Sequence, residues 1–131
     1  MPNSSTGQVA IKFGIEGPSL TITTACAASA NAIGEAKNMI QNGIVDMVIA
    51  GGTESGTTAM TIGAFAQIRA LSTNNKNPKE ACRPFDKDRD GFVMGEGSTV
   101  LIMESEESAS NRGVNIYCLL YTSPSPRDMW T

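Results

Sequence analysis

Four consecutive apolar residues, Met47-Val48-Ile49-Ala50, followed by Gly51-Gly52, set the tightest terms on how this chain can fold. The run is too short for a helix and has no polar face, so it reads as a parallel strand covered on both sides and ended by the glycines. Such a strand needs helices around it, and the flanking sequence supplies them. Upstream, Leu20, Ile22 and Thr24 alternate with Thr21 and Thr23, the period of a strand. From Ala27 the period becomes helical. Ala28, Ala32, Ala36 and Ile40 form an apolar stripe, widened by Ile33 and Met39; Asn31, Glu35, Asn38 and Asn42 form a polar one, and Asn42-Gly43 is a stop. Residues 1–18 read as mostly polar, with a short apolar piece at Val9-Ala10-Ile11 and turn signals at Gly14, Gly17 and Pro18. Further on, the pattern predicts a weaker helix from Met60 to Leu71, a polar loop from Ser72 to Pro84, and a strand from Thr99 to Met103. A short helix from Glu106 to Asn111 and the start of a fourth strand at Val114 to Ile116 follow. Strands alternating with helices imply an α/β layered fold.

Composition narrows the function classes. A chain of 131 residues suits one domain. With 40% apolar and 18% charged residues it is not expected to be disordered. Its apolar runs are too short to span a membrane. Met1-Pro2-Asn3-Ser4-Ser5 has no basic stretch leading into an apolar one, so no signal peptide is visible. The net charge of −3 gives no general reason to expect nucleic acid as a partner. There is no histidine, which excludes a Ser-His-Asp or Cys-His set from this chain alone and any His-ligated metal site. Cys26, Cys82 and Cys118 are odd in number, scattered and without a CxxC pair, as expected of a reduced, cytoplasmic protein.

Cys26 stands where the strand Leu20–Thr24 should meet the helix beginning near Ala27. A thiol there faces unsatisfied backbone N–H groups and the positive end of a helix dipole, both of which favour the nucleophilic thiolate. Its neighbours Ala25, Ala27, Ala28, Ser29 and Ala30 are all small. They either leave room for a bulky acyl group or let the helix pack closely, and a buried, inert cysteine in an alanine-rich core helix is the competing reading. Asp86-Lys87-Asp88-Arg89-Asp90-Gly91 matches the opening of an EF-hand loop, but the twelfth position is Gly97 instead of Glu, and Pro84 and a strand pattern flank it where helices are required. A salt-bridged turn fits better than calcium. Gly51-Gly52 and Gly95-Glu96-Gly97 complete no phosphate-binding motif and read as tight turns. Charge is uneven: Arg69 to Arg89 holds six basic and three acidic residues, leaving the remainder at −6. Such a basic loop suits an acidic partner, or is an ordinary solvated loop.

Four motifs stand in order: Thr24-Ala25-Cys26-Ala27-Ala28-Ser29-Ala30, Ala50-Gly51-Gly52-Thr53-Glu54, Ala70-Leu71-Ser72-Thr73, and the run Arg83-Pro84-Phe85-Asp86 through Gly95-Glu96-Gly97. Together they resemble the β-ketoacyl-[acyl-carrier-protein] synthases, and within these the type II elongating enzymes, over about residues 2 to 117. The resemblance implies a thiolase-like layered α-β-α-β-α fold, present in part: the later part of the N-terminal half and the entry to the C-terminal half, in an enzyme that pairs as a homodimer. It implies that Cys26 is the nucleophile, which takes an acyl group from the phosphopantetheine of acyl carrier protein as a thioester. Malonyl-carrier protein then loses CO2, and its carbanion attacks that thioester, with the Cys26 backbone N–H in the oxyanion hole. It implies that Phe65 lines the acyl pocket and that Arg69 faces the carrier protein. It implies no bound cofactor or metal and no nucleic-acid or membrane partner.

The departures matter as much. Members of the family are several times longer and carry two catalytic histidines, a supporting lysine and a glycine-rich loop outside the matched stretch. A condensing-enzyme piece without turnover of its own is therefore expected; a noncatalytic carrier-binding module is the alternative. The synthase domain is expected over 1–117. Residues 118–131, with two prolines and the chain's single Trp, continue neither period. They read either as a flexible tail or, from their resemblance to translated sequencing-adapter sequence, as no part of the domain.

Overall fold

The computed structural model describes residues 1–120. The order is helix α1 (Ser4–Phe13), a 3-10 turn (Ala25–Ala27) running into helix α2 (Ala28–Gln41), strand β1 (Met47–Glu54), helix α3 (Ala59–Gln67), a second 3-10 turn (Pro78–Glu80), strand β2 (Gly97–Glu104) and helix α4 (Glu106–Arg112). The mixture of helix and strand is the α/β class expected. Several details of the expectation fail. Leu20–Thr24 joins no ladder, because a two-period sequence becomes a strand only when another strand satisfies its N–H and C=O groups, and no described strand lies beside it. Val114–Ile116 is irregular for the same reason. β1 is antiparallel, not parallel: it pairs with β2 over its whole length, from Met47↔Glu104 to Glu54↔Gly97. The chain also forms α1 within a stretch read as polar and turn-rich. Val9 and Phe13 are spaced one turn apart and Gly14 stops the helix, but Ser4, Thr6 and Gly7 hid the pattern.

Gly51 and Gly52 lie inside β1, where they had been expected to end it. They serve close approach: a Cβ at Gly52 would run into the Ser29 side chain of α2, and one at Gly51 into the backbone of Thr99 and Val100 on β2. Each α-helix ends with a residue in the left-handed region, after which an N–H reaches five residues back. These bonds are Ile15 N to Ala10 O (3.0 Å), Ile44 N to Met39 O (2.9 Å), Ala70 N to Phe65 O (3.1 Å) and Val114 N to Ala109 O (3.2 Å). Glycine fills the left-handed position after α1, α2 and α4, as Gly14, Gly43 and Gly113.

The core is small. Ala36 and Met39 of α2, Ala50 of β1, Ala81 and Ala109 are the buried apolar residues among those described. α2 lies on β1, with its alanine stripe inward and Asn31, Glu35 and Asn38 outward, as the sequence pattern requires. The other face of the sheet is open: Val100 is 59% and Ile102 70% exposed, with Met47 and Ile49 beside them. A strand pair with apolar residues on both faces and a helix on one lacks half of its cover. No helix among the described residues is long and apolar enough to cross a membrane. Expressed alone, residues 1–117 are expected to aggregate and to show no cooperative thermal transition by circular dichroism. A sharp, reversible melt of that piece would contradict the incomplete core.

Candidate functional site

The site begins at a strained turn. Ala25 has φ 51°, a left-handed conformation that a residue with a Cβ rarely adopts. The 3-10 turn it opens delivers the chain into α2, and Asn31 Nδ2, one turn into that helix, donates to Thr24 Oγ1 at 2.7 Å and ties the entrance down. Strain of this kind persists only where the surroundings over-determine it. Cys26 sits at the middle of the turn and is exposed in this chain, not buried. No side chain caps the start of α2, and its positive end adjoins the thiol. Cys26 lines a broad cleft of about 1300 Å³, walled by α1, the segment Ile15–Thr23, α2 and the sheet; Ala28, Ser29, Ala50 and Val100 are among its lining residues. The same space is bounded by Met47, Ile49 and Val100 of the uncovered sheet face.

Phe65 and Arg69 lie elsewhere. Phe65 is on α3 and partly exposed. Arg69 is the left-handed residue that ends α3, with φ 56°. Its N–H donates to Ala66 O at 2.9 Å, so arginine here holds the position that glycine holds after the other three helices. For a side chain bearing a Cβ that conformation costs about 1–2 kcal/mol. Neither residue lines the cleft of Cys26. The structure groups Phe65 with Arg69 on one element and leaves Cys26 on another.

The acidic turn is engaged with its own surroundings. Asp86 Oδ1 accepts from Asp88 N at 2.7 Å, closing the turn locally. Asp90 accepts from Ser72 Oγ (2.8 Å) and Thr73 N (3.0 Å) and pairs at 3.4 Å with Arg83, which lies outside the run expected to bridge internally. The Ser72 hydroxyl, then the Thr73 N–H and the Arg83 charge, hold the Asp90 carboxyl below its ordinary value against some desolvation. Gly91, at φ 143°, lets Phe92 pair with Ala70 and Ser72; a Cβ there would meet the Leu71 and Ser72 backbone. Glu96 also lies below its ordinary value, first through the Thr57 hydroxyl, then the Thr57 N–H, with Ser55 adding to it. In the sequence Glu96 is only the middle of a glycine-flanked turn, and Ser55 and Thr57 carry no signal. No spacing signal links residues about forty positions apart; only the antiparallel register brings them together. No group of three or more His, Cys, Asp or Glu side chains among the described residues is placed to hold a metal ion.

Residues 1–109 match the family model for the β-ketoacyl synthase N-terminal domain. The chain is 50% identical over 119 residues to the mitochondrial 3-oxoacyl-[acyl-carrier-protein] synthase of Arabidopsis thaliana, covering 90% of this chain and 26% of that protein. It is 53% identical over 115 residues to 3-oxoacyl-[acyl-carrier-protein] synthase 2 of a Synechocystis species, covering 88% and 28%. Among solved structures, a type II PKS acyl-carrier protein in complex with its ketosynthase bound to the hexaketide matches at TM-score 0.84 and 40% identity, over 88% of this chain and 28% of that one. The thiolase-like ketosynthase fold is thereby the fold of this chain. The chain spans little more than a quarter of the length of these relatives. Cys26, Cys82 and Cys118 are all exposed, so access alone does not separate them. In the full-length protein, iodoacetamide near neutral pH is expected to alkylate Cys26 fastest, as read by peptide mass mapping. Faster labelling at Cys82 or Cys118 would remove Cys26 from the nucleophile's place.

Proposed function

The chain belongs to the β-ketoacyl synthase family, and on that premise we propose that it is the nucleophile-bearing part of a 3-oxoacyl-[acyl-carrier-protein] synthase that elongates fatty acyl chains. The observation that carries this reading is Cys26 at the middle of the strained turn that delivers the chain into α2, beside the uncapped positive end of that helix. The Cys26 sulfur attacks the acyl thioester on the carrier's phosphopantetheine. A carbon–sulfur bond forms at Cys26, and the carrier's thiol leaves with the proton. The Cys26 backbone N–H contributes to the oxyanion hole of that step. Malonyl-carrier protein then releases CO2, and the resulting carbanion displaces Cys26 from the acyl carbon, giving the 3-oxoacyl product and the Cys26 thiolate.

Each remaining assignment follows from this role. Phe65 on α3, which does not line the space beside Cys26 in this chain, is assigned to the acyl pocket of the complete enzyme. Arg69, exposed at the end of α3 beside the basic stretch that runs to Arg89, meets the acidic carrier protein. The decarboxylation step requires histidines, of which this chain has none, so the chain by itself forms the acyl thioester at most and does not condense. The enzyme works in the cytoplasm as a homodimer, and needs no cofactor beyond the phosphopantetheine of its carrier. Residues 1–117 belong to the synthase domain and residues 118–131 do not; of the latter, residues 121–131 lie outside the described part.

The test is acyl transfer in the full-length protein. Incubation with acyl-carrier protein is expected to add the acyl mass to the peptide containing Cys26, and Cys26→Ala to abolish that adduct and all 3-oxoacyl product. An adduct that survives Cys26→Ala would overturn the reading. Arg69→Glu is expected to weaken carrier binding by about 1 kcal/mol at low salt, and by less at high salt, because a rim charge is screened. An unchanged dissociation constant at low salt would take Arg69 out of the interface.

A further inference from the structure

Among the described residues α3 has little packing support along its length, and its attachment raises a question that the reaction leaves open. Among the elements, α2 is packed on β1 and β2, but α3 packs on none of them to a comparable degree. It is held at its ends. At the far end, Phe92 N donates to Ala70 O at 2.8 Å, Ser72 N to Phe92 O at 2.9 Å, and Asp90 takes Ser72 and Thr73. At the near end stands one carboxylate. Glu96 Oε1 accepts from Thr57 N (2.9 Å), Thr57 Oγ1 (2.5 Å) and Ser55 Oγ (3.3 Å). Thr57 directly precedes Thr58, the N-cap of α3, whose hydroxyl accepts from Thr61 N at 3.3 Å. Glu96 directly precedes Gly97, which pairs with Glu54 as the last rung of the ladder. Three donors from one short loop thus converge on one oxygen fixed at the end of the sheet, and hydrogen bonds to an ionised acceptor are the stronger kind.

We infer that Glu96 is a positioning residue: its carboxylate clamps the loop 55–57 to the end of the β1–β2 ladder and so sets where α3, with Phe65 and Arg69 on it, stands relative to Cys26. Both ends of α3 are then tied to the single segment 83–97, and loss of the Glu96 clamp frees one end. The functional half of this inference rests on the proposed roles of Phe65 and Arg69; the clamp itself rests on the hydrogen bonds alone.

Glu96→Ala, Glu96→Gln and Thr57→Val in the full-length protein test it, with hydrogen exchange, Cys26 alkylation and acyl transfer read on each. In Glu96→Ala, exchange of the amides of residues 57–62 is expected to rise roughly tenfold or more, while those of α2 and β1 keep their rates. Glu96→Gln, whose amide oxygen still accepts, and Thr57→Val, which removes one donor, are expected to fall between Glu96→Ala and wild type. Iodoacetamide alkylation of Cys26 is expected to be unchanged. For acyl-carrier protein as donor, KM is expected to rise with the acylation kcat held within about twofold, because the acyl and carrier contacts are displaced and the thiol is not. Unchanged exchange at 57–62, or a rise shared equally by α2 and β1, would overturn the clamp; so would a lower kcat with KM unmoved. Should Glu96→Ala fail to fold, Thr57→Val carries the same comparison. A wild-type protein that takes no acyl group on Cys26 would sink the proposed function and leave the exchange result standing.

Discussion

The close approach of α2 to β1 is the contact on which everything else in this chain depends. Ala36 and Met39 meet a strand whose own buried residue is Ala50, and Gly52 leaves just enough space for Ser29. Small residues are needed on both sides, because a larger side chain at Gly52 would push away the helix whose first turn presents Cys26. The cost is a thin core. Four of the five buried apolar residues are alanine, whereas a fully buried leucine or phenylalanine contributes about 1.5–3 kcal/mol. The alanines bring the helix near without contributing much stability.

That balance explains why the sheet is apolar on the side away from α2. Val100, Ile102, Met47 and Ile49 form a face that the described residues do not cover. Such a face suits a chain that spans little more than a quarter of the length of its relatives. Burial against a further layer would supply the stabilisation that the alanine contact does not, and would also restrain the turn at Ala25, where left-handed backbone is stored beside the Cys26 thiol.

α3 follows a different logic. Among the described residues it is fastened by polar contacts at its two ends and not laid into the core. The two carboxylates responsible, Asp90 and Glu96, stand six residues apart on one strap of chain and take hydroxyl and backbone donors from either side of the helix. Carboxylates held this way lie below their ordinary values, so these attachments are fully present above about pH 5 and weaken only as pH falls through the lowered values. Arg69, strained in a position that glycine takes elsewhere in the chain, sits at the end of this suspended helix.

What the sequence determined by itself is whatever short-range pattern controls. The stripes of α2, the presence of α3, the reach of α4, the strand character of Met47–Ala50 and of Thr99–Met103, and the place of Cys26 at the entrance to a helix were legible, because each is written within one or two turns or a few alternating residues; α3 ends at Gln67 and not at Leu71, because Ala70 and Ser72 pair with Phe92. The four ordered motifs carried the family as well. What the tertiary structure alone decided is whatever depends on partners distant in sequence. β1 runs antiparallel because β2, more than forty residues on, is its neighbour. Leu20–Thr24 has a strand's alternation and no strand beside it, so it stays outside the ladder. Gly51-Gly52 has the composition of a turn, and only the nearness of Ser29 and Thr99 shows it to be a contact surface. Glu96 looks like one residue of a glycine-flanked turn until the register lays it against Thr57. Local periodicity specifies elements; hydrogen-bond partners and close approaches are set when elements meet, and no window of sequence contains both sides of that meeting.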